Sequence, residues 1–208
     1  MHFFARLLIG FVLSAVLAVA EAVSNFVPID LPRGVRIELP TNWTAYSNNK
    51  RTTLAAFVQA QVERLNSTEP EVEMPFAASL YDDDGLVIAT ANIRYYPTLP
   101  LSRSDAARAT TQDVAELDEG LKRTVIPGAE STGQRVLAWN GTRKAVVNGV
   151  TAFISEYRVS APRGGPFVVQ LVRVYNLKNS FTLILSYREQ NLLLEPIVDR
   201  VVRTLRVK

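Results

Sequence analysis

The chain of 208 residues has no cysteine and one histidine, His2, which lies just ahead of an apolar segment at the N-terminus. With that segment set aside, no thiol or imidazole remains. A Ser-His-Asp or Cys-His nucleophile, an imidazole general base, haem or blue-copper ligation and an ordinary zinc site are therefore all excluded. No disulfide can brace the fold, so stability must come from a core. No run of five like charges occurs, and the 23 basic and 20 acidic residues are interspersed to a net charge of +3. That is not the basic stripe by which nucleic acid is tracked. The G-x-S-x-G, P-loop and dinucleotide glycine patterns are missing, as are repeats, low-complexity tracts and Pro- or Gly/Ser-rich linkers.

What is present begins with "MHFFARLLIGFVLSAVLAVAEA". Arg6 precedes an apolar run of 14 residues from Leu7 to Ala20, followed by the small-x-small triplet Ala20, Glu21, Ala22. This is the pattern of a secretory signal peptide cleaved after Ala22. The run is short of the ~20 apolar residues a membrane-spanning helix requires. Residues 1–22 are thus read as a signal segment and 23–208 as a single domain, exported to the periplasm or secreted, with no transmembrane segment after cleavage. Leaving out Arg6 and Glu21 does not change the net charge.

Along the mature chain, "VRIELP" (35–40) alternates as a short strand. Leu54, Phe57, Val58, Val62 and Leu65 fall at helical spacing and predict an amphipathic helix over 53–65. "PFAASLY" and "LVIATANIRYY" are strand-like runs joined by "DDDG", which predicts a hairpin. Ser102 and Ser104 are candidate caps of a helix reaching about Thr124, with Val114, Leu117 and Leu121 on its apolar face. The second half predicts an antiparallel meander, with tight turns at Asn140–Gly141, Asn148–Gly149 and Asn179–Ser180 and a loop at 161–166. A closing helix carries Leu194, Ile197, Val198, Val201 and Leu205 on one stripe, Asn191 as a cap, and Arg203, Arg206 and Lys208 in its last turn. "FVVQLVRV" is apolar on both sides, so both faces of the sheet need cover, and helices on either side provide it. The fold class is α+β: a mostly antiparallel β-sheet flanked by helices.

"VRIELPTNW", "VNGVTAFISEYRV" with the long hairpin after it, and the closing "FTLILSYREQNLLLEPIVDRVVRTLRV" together resemble the PsbP-like superfamily, which takes in DcrB-like proteins. The likeness is one of pattern and order across most of residues 34–206. It implies an α/β/α sandwich and a non-enzymatic binding or assembly role, with no active site and no cofactor.

The remaining motifs have modest readings. In "DDDG" (82–85) the carboxylates are consecutive, whereas a calcium loop spaces its oxygens at alternate positions and ends in a bidentate Glu. Asp followed by Gly between strands is turn chemistry, and no metal site is expected. "SNNK" (47–50) has S-x-x-K spacing but none of the companion motifs of penicillin-recognising enzymes. Trp43, Tyr95 and Tyr96 are read as core aromatics in preference to a binding platform. The stripe Arg200, Arg203 and Arg206 complements a helix dipole. A two-residue turn at Asn179–Ser180 places Arg173 opposite Ser186, and a loop at 161–166 joining Ser160 to Phe167 places Glu156 opposite Leu171. Glu156, Arg158, Arg173 and Arg188 then share one sheet face as a candidate partner-binding cluster, against a structural reading as a cross-strand charge network. The function expected is therefore a non-enzymatic binding or assembly factor acting on an unidentified protein partner in the cell envelope. The alternatives are a small-ligand carrier, which needs a pocket, and a hydrolase working with carboxylates alone.

Overall fold

A computed structural model describes residues 25–64, 73–96, 101–175 and 180–208, without the side chains of 61–64. The expected signal segment, residues 1–22, and Asn179 lie outside the described residues. In chain order the elements are β1 (Phe26–Asp30), β2 (Val35–Pro40), β3 (Thr44–Ala45), α1 (Asn48–Arg64), β4 (Glu73–Tyr81), β5 (Val87–Tyr96), α2 (Arg103–Arg108) and α3 (Thr111–Ser131). There follow β6 (Val136–Val147), β7 (Val150–Val159), β8 (Phe167–Val174), β9 (Ser180–Arg188), α4 (Leu194–Thr204) and β10 (Arg206–Val207).

The expected meander forms β6 to β9, and the expected hairpin forms β4 and β5. A pairing between β5 and β9 joins them into a seven-stranded antiparallel sheet of order β3-β4-β5-β9-β8-β7-β6. A second sheet, β1-β2-β10, has three strands. Side-chain alternation divides the large sheet into two unlike faces. Ala89, Ala91, Ile93 and Tyr95 of β5 lie in register with Tyr187, Leu185, Leu183 and Phe181 of β9. All but Phe181 and Tyr187 are fully sealed from solvent, and those two are 1% and 6% exposed. This core face is covered by the small sheet, through Val35, Ile37 and Leu39, and by α4, through Leu194, Val198 and Val201, with Leu205 just after it. The opposite face carries α1 to α3.

Several expectations are corrected. Asn148–Gly149 is the tight turn predicted, with positive φ at both residues and Val147 opposite Val150. Asn140–Gly141 is not a turn. It is a bulge within the continuous strand β6, where the pairing steps from Trp139–Tyr157 to Gly141–Glu156 and Gly141 takes φ +90°. The local chemistry is the same, a glycine able to adopt positive φ, but the flanking runs continue in one direction. The helix expected from Ser102 to Thr124 is two helices, each opened by its own capping box: Ser102 with Asp105, and Thr110 with Asp113. Lys144 Nζ closes the first, donating to the carbonyls of Ala107 and Ala109 at 2.7 and 2.8 Å. The last helix is not capped by the Asn191 side chain, and its final turn holds only Arg203, because Arg206 belongs to β10 against Arg36. In α1, Leu54 and Val58 are half-buried but Phe57 is 52% exposed, so the predicted stripe is only partly used.

Two register corrections matter for function. Val159, not Ser160, pairs with Phe167, so Glu156 faces Gln170 instead of Leu171. Arg173 lies opposite Thr182 instead of Ser186, because Val174 pairs with Phe181.

Candidate functional site: a cleft between two helices

The helices of the second face dock at its flanks. α1 packs on β4, where the Tyr46 hydroxyl just before it meets Ser79 Oγ at 2.6 Å. α3 packs on β6 and β7, with Leu121, Leu117 and Val125 against Val159, Val169 and Leu171. Its grip includes a polar clamp. Asp118 Oδ1 accepts from Trp139 Nε1 at 2.8 Å and Thr142 Oγ1 at 2.7 Å, and Oδ2 lies 3.1 Å from Lys122 Nζ. Trp139 in turn stacks on Tyr157, with ring centroids 5.4 Å apart.

Between α1 and α3 the central strands β5, β9 and β8 are left partly uncovered, forming a cleft of about 490 Å³. Its roof is Val58 of α1 with Thr124, Val125, Gly128 and Ala129 of α3. Its floor is built in rows across the sheet: Arg94, Thr182 and Arg173, then Ile184 and Leu171, then Thr90, Ser186, Val169 and Tyr157, with Val159 and Phe167 beyond. The floor is apolar along its middle, and no carboxylate is among the lining residues. The Nε atoms of Arg94 and Arg173 are both sealed from solvent and have no hydrogen-bond partner among the described residues. Neither arginine forms an ion pair there. Thr90 and Ser186 satisfy each other, Oγ to Oγ at 2.7 Å. Burial pushes the Tyr157 phenol up, with the charges of Arg94 and Arg173 pulling the other way, so at neutral pH it is a proton donor facing the cleft. Trp43 Nε1, Asn92 Oδ1 and Arg158 Nε are also buried without partners among the described residues, but none of these residues lines the cleft.

The predicted charged cluster does not assemble. With Glu156 opposite Gln170, Glu156 and Arg158 point to one face and Arg173 and Arg188 to the other. The cause is a loop one residue longer than expected between β7 and β8, which exchanges the faces of the two strands. Glu156 accepts from Asn140 Nδ2 at 2.7 Å and Gln170 Nε2 at 3.2 Å. Arg158 pairs with Glu189 at 2.5 Å. Arg188 donates to the carbonyls of Val87 and Arg163 at 3.0 and 2.7 Å, and lies over the Phe167 ring. These three are engaged in holding loops and strands together. Arg173 is the member left available, and its neighbour in the cleft is Arg94, which the sequence alone did not single out because nothing local places β5 beside β9.

The other motifs are structural. Asp82 Oδ1 accepts from the amides of Asp84 and Leu86 at 3.1 and 2.8 Å, and Gly85 takes φ +75°, so "DDDG" is a side-chain-braced turn. Ser47 Oγ accepts from the Lys50 amide at the start of α1, while Lys50 Nζ sits over the Tyr46 ring. Trp43, Tyr95 and Tyr96 are buried, and Tyr95 donates to the Pro32 carbonyl. A second depression, of about 560 Å³ between α2 and α3, contains Asp105 and Asp113, both occupied as helix caps. Among the described residues no set of His, Cys, Asp and Glu converges as metal ligands, and no helix is long and apolar enough to cross a membrane.

This architecture is the PsbP-like α/β/α fold. It matches cyanobacterial PsbP (CyanoP) from Synechocystis sp. PCC 6803 with a TM-score of 0.54 at 12% identity, over 89% of this chain and 94% of that one. Weaker likenesses include the Ran-binding protein Mog1p of Saccharomyces cerevisiae, at a TM-score of 0.45 and 10% identity over 88% of this chain and 95% of that one. LpqN of Mycobacterium tuberculosis, involved in cell envelope biogenesis, matches at 0.43 and 11% identity over 87% and 89%. No family model matches the sequence, and no curated protein does.

Proposed function

We propose that this is an exported, non-catalytic binding protein that holds a small ligand in the cleft between α1 and α3. Export rests on the N-terminal sequence, which predicts a mature protein beginning at Val23. The observation that carries small-ligand binding is the cleft itself. Its volume lies within the ~300–1,000 Å³ of small-molecule sites, and it combines an apolar wall with a few polar groups, as such sites do. A non-catalytic role is supported by the residue types present: the cleft offers hydroxyls and guanidiniums but no carboxylate, and the chain beyond His2 has no imidazole or thiol to serve as base or nucleophile. Replacing Ala129 with Trp fills the space below α3. Titrated with the neutral apolar dye Nile red, the protein is expected to show saturable fluorescence enhancement that Ala129→Trp abolishes without lowering Tm by more than a few degrees. Enhancement that is unchanged in the variant would remove the cleft as the site.

A protein-binding role has a specific feature of its own. Leu192 and Leu193, just before α4, are 77% and 56% exposed. Loss of crosslinked partners in a Leu192→Ser/Leu193→Ser variant that still binds the dye would establish that second role beside the first.

A further inference from the structure

The cleft carries neutral polar groups along its length, among them Thr90, Ser186, Tyr157, Thr132 and Gln134, but its available positive charge lies at one end only. Arg94 and Arg173 flank Thr182 in a single row on β5, β8 and β9. At ~4.8 Å between strands their Cα atoms are about 10 Å apart, near enough for two long side chains to converge on one group. Six residues along the sheet, roughly 20 Å away, stands Arg188. Its guanidinium is held by the carbonyls of Val87 and Arg163 and is not available. Between the two ends run Leu171, Ile184, Val169 and Phe167.

A buried guanidinium donor without an acceptor is costly, and native structures leave few of them. Here two, Arg94 and Arg173, line one cleft without a carboxylate, each with Nε sealed from solvent, whereas a third sealed Nε, that of Arg158, belongs to a guanidinium already paired with Glu189. Among the described residues no hydrogen bond or ion pair engages either guanidinium, and α1 and α3 dock through other residues. Their planar forks suit an oxyanion with two or three acceptor oxygens. The apolar floor suits a hydrocarbon chain lying along it.

We infer that the ligand is an amphiphile with one anionic head group, a carboxylate or a phosphate monoester, bound with its head between Arg94 and Arg173 and its chain under α3. This rests on the reading of the cleft as a small-ligand site and adds the chemistry of the ligand.

The test uses three probes of equal chain length, dodecanoate, dodecyl phosphate and dodecanol, titrated into the full protein by calorimetry or by displacement of Nile red. Each charge-assisted contact should contribute about tenfold or more in affinity. At least one of the anions is therefore expected to bind ten to a hundred times more tightly than dodecanol. Arg94→Gln/Arg173→Gln should remove that preference while leaving dodecanol affinity unchanged, and Lys at both positions should retain part of it. The better of the two anions identifies the head group. Equal binding of all three probes overturns the inference and leaves the cleft as an uncharged apolar site. Failure of all three to bind, or to displace the dye, overturns both. Should the double Gln variant not fold, the preference of the wild-type protein for anion over alcohol decides the matter alone.

Discussion

If Asp118 clamps α3 to the ribbon of β6 and β7, removing it should loosen the roof of the cleft by an amount the contacts allow one to work out. Its Oδ1 accepts from the Trp139 indole and the Thr142 hydroxyl, and its Oδ2 meets Lys122. A hydrogen bond to a charged group contributes ~1.5–3 kcal/mol, and with both donors half-buried the lower end applies. The half-buried i,i+4 pair with Lys122 adds only ~0.3–0.5 kcal/mol. Asp118→Ala should therefore cost about 3 kcal/mol, or about 6–12 °C in Tm for a domain of this size. Asp118→Asn keeps an acceptor at Oδ1 but loses the charge, and should cost about 1 kcal/mol.

The pH dependence separates charge from packing. Burial raises the Asp118 carboxyl, but hydrogen bonds from Thr142, Trp139 and Lys122 outweigh it and hold the group below its ordinary value. A carboxyl lowered in the folded state contributes stability that is present above the unfolded value of ~3.9 and is lost as pH falls through the folded one. The Tm gap between wild type and Asp118→Asn should then be the same at pH 7 and pH 5 and shrink below about pH 4. Thermal melts followed by circular dichroism at those pH values decide the matter. A gap that persists undiminished at pH 3, or an Asp118→Ala variant within 2 °C of wild type, refutes the clamp.

The hairpin and the buried phenols supply two more tests. Asp82→Ala should destabilise by about 1–2 kcal/mol, because two amides lose their acceptor, whereas Asp83→Ala and Asp84→Ala should change stability by less than ~0.5 kcal/mol; equal losses at all three, or a calcium-dependent rise in Tm that needs Asp83 and Asp84, would contradict the turn. Burial, reinforced by Glu195, Glu156, Asp199 and Glu189, pushes Tyr187 up to about 12. A group raised in the folded state stabilises below its unfolded value of ~10 and ceases to do so as pH rises through the folded one. Tyr187→Phe should thus lose less stability than wild type in urea melts between about pH 9 and pH 11, and parallel losses would show that the phenol does not titrate with unfolding.

The elements legible in the sequence are those in which local and global demands agree. The stripe Leu194, Val198, Val201 and Leu205 is both a helical period and the contact that α4 and the residue just after it make. Asp82 and Gly85 satisfy the same turn in isolation and in the sheet. What was not legible is where one local chemistry serves two ends. Asn-Gly at 148–149 turns the chain while Asn-Gly at 140–141 bulges it, and the difference lies in whether the runs beside it find each other or a third strand, β7. Likewise Ser102 and Thr110 each cap a helix, and only the pairing of Lys144 with the carbonyls between them shows the break.

The candidate site turned on the parity of two loops. Between β8 and β9 the expected register differs from the true one by an even step, so Arg173 and Arg188 stay on the expected face, though opposite other partners. Between β7 and β8 the step is odd, so Glu156 and Arg158 change faces and the cluster divides. That division is what leaves Arg173 without an acid. With Glu156 on its own face, the guanidinium would have found a carboxylate across the strand and become part of the sheet's scaffold, as Arg158 has with Glu189. Its actual neighbour, Arg94, comes from the pairing of β5 with β9, strands nearly a hundred residues apart in sequence. Two like charges brought together by the most distant strand pairing of the large sheet, on the part of its face that neither α1 nor α3 covers, have no structural task that a neutral side chain could not perform more cheaply. Substitution by Gln at both positions should therefore leave Tm unchanged or raise it, and a fall of more than about 5 °C would assign the pair to the scaffold after all.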